Sequence, residues 1–451
     1  MIDTHCHLEM SAFDGDREDV LTRAREAGLE AFLAIGSDFE GSKGAVALAE
    51  KNDDIFAVVG MHPHDAKDFT NSVFDQIKMW AAHRKVVAVG EIGLDYHYDY
   101  SPRAVQRDIF RQQLVYAGES GLPVVVHCRD AGEDTLAILK DSGVDQGVMH
   151  CFSGDSNMAE RVLEMGFHIS FAGQLTFRKA SQLRDIAKTI PDERLLIETD
   201  APFLAPEPLR GKRNEPAFIV YTARFLAELR GVSLEDIDRI TTVNAKKLFR
   251  FGEMPAGKIA YKIRDSLYLN ITNRCTSKCV FCVRNTTDIV KGHNLRLAHE
   301  PSVEDLMDAI GDPARYREIV FCGYGEPLLR LDAVKAVAAR VKQQGGKVRI
   351  NTNGHGNLIY KRNILPELQG LVDSISISLD AQDEETYRRL CKPAFDNAFH
   401  EVIDFIGEAK LCIQDVQATV VAADGVDIDK CRTLADELGV KLRVRRLDRV
   451  G

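Results

Sequence analysis

Along the first half of the chain, short runs of β-branched and aliphatic residues alternate with longer stretches of helical periodicity. This is the pattern of parallel strands joined by crossover helices. Residues 29–35, 55–60, 86–90, 124–127, 147–150, 168–171 and 195–197 read as strands, and residues 1–3 supply an opening one. Amphipathic stretches such as 158–165 and 216–230 fall between or after them. About eight such alternations within about 250 residues predict a TIM-type (β/α) barrel.

The segment Arg250-Phe251-Gly252-Glu253-Met254-Pro255-Ala256-Gly257-Lys258 interrupts this pattern with Gly and Pro. The division is placed there: a barrel over residues 1–254, a linker over 255–261 and a second domain over 262–451. A second series follows at residues 267–272, 318–321, 348–351, 374–378, 416–420 and 442–444. Roughly six βα units in so short a span predict a partial, open (β/α)6 barrel, making the whole chain α/β. The two series share no motif, so there is no internal repeat.

Composition changes this picture little. Hydrophobic residues make up 45% and charged residues 28% of the 451, an ordinary globular balance. No apolar run reaches the roughly 20 residues needed to span a bilayer, and no basic-then-apolar leader opens the sequence, so a cytoplasmic location without a membrane partner is expected. The formal net charge of −10 counts against a broad nucleic-acid-binding surface. It does not count against a nuclease, because bound divalent ions add local positive charge.

The candidate chemistry of the first half lies at strand ends. In a parallel barrel, side chains at the C-terminal ends of the strands converge on one mouth. His5 and His7 leave the first strand, Glu91 the fourth, His127 the fifth, His150 the sixth and Asp200 the eighth. Any one of these is ordinarily a packed histidine or a turn carboxylate. Six ligand-type residues at the same end of five strands are a different matter. Four imidazoles and two carboxylates suit two divalent ions, with Glu91 able to bridge them through its two oxygens. His62 and His64 end the third strand as candidates for phosphate or a further ion. Arg129 and the loop Arg210-Gly211-Lys212-Arg213 are candidates for backbone phosphates, or a solvated charged loop.

These residues sit in motifs. Ile2-Asp3-Thr4-His5-Cys6-His7-Leu8, Gly60-Met61-His62-Pro63-His64, Gly90-Glu91-Ile92-Gly93-Leu94-Asp95-Tyr96, Pro123-Val124-Val125-Val126-His127-Cys128-Arg129, Met149-His150-Cys151-Phe152-Ser153-Gly154 and Glu198-Thr199-Asp200-Ala201-Pro202 together resemble the TatD family of metal-dependent DNases. The resemblance implies phosphodiester hydrolysis of DNA at two metals (zinc, manganese or magnesium). His5, His7 and Asp200 would lie on one side, His127 and His150 on the other, and Glu91 between. Asp200 is then placed to accept the proton of an attacking water. Amide and lactone hydrolases share such barrels, but many use a modified lysine as the bridge where this chain has Glu91.

In the second half, Cys275-Thr276-Ser277-Lys278-Cys279-Val280-Phe281-Cys282 gives C-x3-C-x2-C just beyond a strand. Three thiolates on one loop can hold three irons of a 4Fe–4S cluster and leave the fourth open. A zinc site wants four ligands, and no fourth stands at knuckle spacing, Cys322 being a possible fourth at another strand end. Cys391, Cys412 and Cys431 stand alone, so no auxiliary cluster is expected. The cysteine loop, with Phe281 before its last cysteine, resembles the radical S-adenosylmethionine (SAM) superfamily, in particular members linked to TatD nucleases. Gly323-Tyr324-Gly325-Glu326-Pro327 after the second strand is similar to that family's SAM-binding segment. Asn353 and Ser378, ending the third and fourth strands, are further candidates for SAM. The resemblance implies reductive cleavage of SAM to a 5′-deoxyadenosyl radical, fed by a donor such as flavodoxin or ferredoxin, on an unread substrate. The alternative is an active nuclease whose iron–sulfur domain senses redox state or iron.

Overall fold

The computed structural model describes residues 1–447, and the chain divides into two compact units, Met1–Met254 and a second that begins at Pro255. In the first, β1 (Ile2–Cys6), β2 (Ala31–Ile35), β3 (Ile55–Val59), β4 (Val86–Asp95), β5 (Val124–Arg129), β6 (Gly147–Met149), β7 (His168–Phe171) and β8 (Leu195–Ile197) pair in chain order, all in parallel. A parallel bridge between Cys6 and Ala201 brings the first strand to the end of the last, with Asp200 N donating to His5 O at 2.9 Å and His7 N to Ala201 O at 2.8 Å. This is the TIM-type barrel expected from the alternation.

Side-chain alternation along the strands explains how it packs. Phe32 and Ala34 of β2 join the cluster shared with the surrounding helices. Leu33 and Ile35 instead meet Ile2, Val58, Val125, Val148 and Leu196. Leu248 and Phe249, from the helix Leu234–Phe249, and Phe251 pack onto this second cluster. That helix begins with a Ser233–Asp236 capping box and ends where Arg250 turns left-handed at φ 54°, a standard pair of start and stop devices.

β4 departs from expectation in length, running on to Asp95 rather than stopping at residue 90. Its register against β5 shifts between Val89 and Ile92, and Glu91 lies within that irregularity. Such a bulge re-aims the side chain it contains. Gly93 follows at φ 139°, where an added Cβ would sit 2.0 Å from the His127 carbonyl oxygen. Only glycine fits there.

The second unit carries β9 (Ala260–Ile263), β10 (Ser266–Asn270), the short pair β11 (Ile289–Val290) and β12 (His293–Asn294), then β13 (Ile319–Cys322), β14 (Val348–Thr352), β15 (Ser374–Ser378), β16 (Asp415–Ala422) and β17 (Lys441–Arg446). Its main sheet runs β17-β16-β15-β14-β13-β10-β9. The six strands from β10 to β17 are parallel, and β9 pairs antiparallel to β10. The open (β/α)6 arrangement is therefore present with one addition. β9 begins inside the stretch read as linker, because Tyr261 is buried against Leu295 and Tyr324, a contact invisible in sequence order. Among the described residues, no helix is long and apolar enough to cross a membrane.

Candidate metal centre and cysteine loop

The barrel brings the six expected residues together. Glu91 is 3% exposed, and its two oxygens face different partners. Oε2 lies 3.4 Å from His5 Nε2 and 3.8 Å from His7 Nε2. Oε1 lies 2.8 Å from His150 Nε2, 2.9 Å from His127 Nδ1 and 3.4 Å from His62 Nε2. Asp200 closes the first group, with Oδ1 3.7 Å from His5 Nε2 and 3.6 Å from His7 Nε2. Asp200 sits at φ 58°, a left-handed conformation that its short polar side chain tolerates. His62 joins the cluster. His64 does not touch Glu91 but meets Asp95 instead, with Nε2 2.9 Å from Oδ2.

The electrostatics are those of crowded lone pairs. His5 and His7 present Nε2 to each other at 3.3 Å, and His127 Nδ1 faces His150 Nε2 at 3.2 Å. Burial alone would push Glu91 up, yet His150, His62 and His127 hold it well below the usual carboxylate range. Burial likewise opposes a charged His150, but Glu91 and Glu198 drive it well above an ordinary imidazole. His62, without enough carboxylate to offset burial, is pushed down to about 4.

Three carboxylates that residue patterning passed over complete the surroundings. Asp95 is 1% exposed; its Oδ2 lies 3.2 Å from His127 Nε2, while Oδ1 accepts from the backbone N–H groups of His97 and Tyr98, each at 2.9 Å. Glu198 Oε1 lies 3.4 Å from His150 Nδ1 and accepts from Cys151 N at 2.6 Å. Glu9 Oε1 lies 3.4 Å from His7 Nδ1, whose other neighbour is the Ile35 carbonyl at 3.2 Å. Asp95 and Glu198 stand inside the motifs already quoted, so their signal was position beside a ligand. Arg129 and the basic loop stay out of the cluster: Arg129 lies over the Tyr98 ring at 4.8 Å, and Arg213 pairs with Asp16 at 2.6 Å.

In the second unit, the cysteine loop follows β10. It is braced by Lys278 N donating to Cys391 O at 3.1 Å, Val280 N to Leu390 O at 2.8 Å and Ala394 N to Thr276 O at 2.8 Å. Cys391, isolated in sequence, is not isolated in the fold: its thiol donates a hydrogen bond to the Cys279 sulfur, which makes Cys279 the more acidic of the two. Arg284 Nε donates to Cys282 Sγ at 3.2 Å, and Asn353 Nδ2 lies 3.8 Å from Cys275 Sγ while donating to Thr276 at 2.8 Å. Glu326 has an internal task beyond the SAM contact expected of it. Its oxygens accept from Leu328 N at 2.9 Å, Thr352 Oγ1 at 2.8 Å and Asn353 N at 2.7 Å. The glycines before it answer to the chain itself: a Cβ on Gly323 would meet Asn270 at 2.6 Å and one on Gly325 the Arg274 carbonyl at 2.2 Å. Phe281 packs against the hydrophobic core of this second unit, and Ser378 hydrogen-bonds the Asp380 carboxyl.

A family model described as TatD related DNase matches residues 2–250. The chain belongs to the TatD family. A second model, the radical SAM superfamily, matches residues 269–438, so the TatD unit is followed by a radical SAM domain. Among its relatives, the metal-dependent hydrolase YabD of Bacillus subtilis is 46% identical over 252 residues, covering 55% of this chain and 99% of YabD. The protein named 3′-5′ ssDNA/RNA exonuclease TatD from Cronobacter sakazakii is 35% identical over 264 residues, covering 57% of this chain and all of that one (100%). The crystal structure of YJJV, a TatD homologue from Escherichia coli, superposes with a TM-score of 0.54 at 33% identity, over 56% of this chain and 98% of YJJV.

The donor set of the TatD unit fits metal ions, as the name of its metal-dependent relative YabD suggests. The groups His5-His7-Asp200, His5-His150-Glu198 and His62-Glu91-His127, the last with a half-buried His127, each place three ligand atoms within 4.8 Å of one another. Facing imidazole lone pairs around a buried carboxylate are a poor arrangement without cations and a good one with them. The three thiols on one loop likewise fit an iron–sulfur cluster with an open iron.

Proposed function

We propose that the TatD unit hydrolyses phosphodiester bonds of DNA with two divalent cations, and that the radical SAM domain uses a 4Fe–4S cluster on Cys275, Cys279 and Cys282 to cleave SAM reductively. The observation that carries the first reading is the division of Glu91, one oxygen toward His5 and His7 and the other toward His127 and His150. His5, His7 and Asp200 would hold one cation and His127 and His150 the other, with Glu91 shared.

When bound, such ions supply Lewis acidity toward phosphoryl oxygens and a nucleophile at neutral pH. The protein's own residues do the rest. Asp200, held below its usual range by His7, His5 and His150 despite burial, is ionised and the most open carboxylate of the cluster, with a side chain 13% exposed. It accepts the proton released as water attacks phosphorus. Asp95 and Glu198 orient His127 and His150 from behind, the support that ligating imidazoles require. The Cronobacter relative's name, an exonuclease of single-stranded DNA and RNA, supports a phosphodiester over an amide or lactone. In the second unit, Gly323, Gly325 and Glu326 shape the loop beside the cysteines, and Asn353, Phe281 and Ser378 are its candidate contacts to SAM. A flavodoxin or ferredoxin in the cytoplasm would supply the electron.

The test is anaerobic purification of the full chain with elemental analysis. Divalent metal plus about four irons and four sulfides per chain, metal-dependent cleavage of DNA, and 5′-deoxyadenosine on reduction with SAM are expected. Intact cluster absorbance without 5′-deoxyadenosine would favour the sensor reading and remove the radical one.

A further inference from the structure

Beside the metal centre stands a feature that the hydrolytic chemistry leaves unused. Tyr98 and Tyr100, in the loop after β4, are 45% and 58% exposed. They stack on each other with ring centroids 5.3 Å apart and planes 16° from parallel. The Arg129 guanidinium lies 4.8 Å from the Tyr98 centroid. Exposed aromatic rings normally reduce their wet surface by packing inward; these two stack with one another and remain open to solvent.

The pair is fixed to the catalytic frame. Tyr98 N donates to Asp95 Oδ1 at 2.9 Å, the carboxylate whose other oxygen orients His127. Ser101 Oγ donates to His64 O at 2.7 Å and accepts from Lys67 N at 3.0 Å, tying the residue after Tyr100 to the turn that carries His62 and His64. The His64 ring meets both tyrosines edge-on, 5.5 Å from Tyr98 and 4.8 Å from Tyr100, and the His62 ring lies 4.3 Å from that of His64. One imidazole therefore separates the stack from a residue in contact with Glu91.

We propose that Tyr98 and Tyr100 form a stacking platform for a nucleobase of the substrate strand, placing the nucleotide next to the scissile phosphate. The inference rests on the hydrolase reading above and names the residues that would hold a base of that site's substrate. A nucleobase offers a flat π-face of any sequence, and aromatic side chains near a cation are its general receptor. In a duplex, that face is already stacked within the helix and unavailable. The charges around the loop are largely balanced. Asp99 is paired to Arg103 at 2.7 Å and Asp130 to His97 at 2.9 Å, so neither Arg103 nor His97 adds an unbalanced cation here, in keeping with the net charge of −10.

The test uses the full chain, a single-stranded oligodeoxynucleotide and an abasic strand of the same length, with cleavage kinetics and binding by fluorescence anisotropy. Wild-type protein is expected to bind and cleave the intact strand better, by roughly tenfold in KM. The Tyr98→Ala/Tyr100→Ala double variant should lose that preference, handling the intact strand no better than the abasic one, while Tyr98→Phe/Tyr100→Phe retains it. Equal handling of both strands by wild type, or an alanine variant that keeps its preference, overturns the platform. So does equal loss on both strands, which marks the rings as mere support for the metal site. Base-dependent binding without any metal-dependent cleavage leaves the platform standing and removes the hydrolase reading instead.

Discussion

Replacing Asp95 by Asn changes one atom and tests how the metal centre is held. The carboxylate has two tasks, accepting from the backbone N–H groups of His97 and Tyr98 through Oδ1 and facing His127 and His64 through Oδ2. An asparagine keeps a single oxygen, and the two backbone donors claim it. Its NH2 then faces His127 Nε2 at 3.2 Å, so this nitrogen must accept and the ring proton moves to Nδ1. That atom is the one directed at Glu91 Oε1, 2.9 Å away, and a protonated nitrogen cannot bind a cation. Loss of such orienting partners costs about 10–100-fold in metal affinity or activity, or ~1.4–2.7 kcal/mol. Chelator-competition titration with Mn2+ should show one of two sites weakened by that factor, and DNA cleavage should recover at saturating metal. Unchanged affinity at both sites in a folded Asp95→Asn protein refutes the orienting role.

Other outcomes follow from single features. Gly93→Ala would place a Cβ 2.0 Å from the His127 carbonyl at φ 139°; unfolding should move by about 2–4 kcal/mol, and a variant as stable as wild type would deny that contact. Burial, with Arg194 and Lys247 nearby, pushes His168 down to about 3, so the unfolded chain takes up its proton first as pH falls. Wild-type stability should thus fall by up to ~1.4 kcal/mol per unit below the ordinary imidazole range near 6.5. His168→Gln removes that slope, so its deficit relative to wild type should shrink between pH 6.5 and 4; a constant deficit would contradict the buried neutral ring. Cys279→Ala should abolish the brown absorbance and SAM cleavage while DNA hydrolysis continues. Loss of both activities in folded protein would show that the two sites are not independent.

How much of this was legible in the sequence varies with the length scale of the signal. The strand runs and the H-x-H pair recur at the strand period, so barrel and candidate ligands could be read together. The end of β4 could not, because its continuation through Glu91 to Asp95 depends on a register shift against β5. β9 was missed for a similar reason, since Tyr261 is buried by Leu295 and Tyr324 from later in the chain. Asp95, Glu198 and Glu9 act behind the imidazoles, and nothing in spacing separates such a carboxylate from a cap. Cys391 was passed over as solitary because its neighbour, Cys279, comes more than a hundred residues earlier in the chain. Glu326 announced itself as a ligand contact by motif, whereas its oxygens also brace the loop.

Glu91 is proposed to serve two cations at once. Metal stoichiometry and DNA cleavage, measured side by side on full-length wild type and Glu91→Ala protein, address it directly. Two divalent ions per chain with cleavage in the wild type, against at most one ion and no cleavage in a folded variant, is the expected result. Cleavage by the variant at the wild-type rate, or by chelator-stripped wild type, would contradict it.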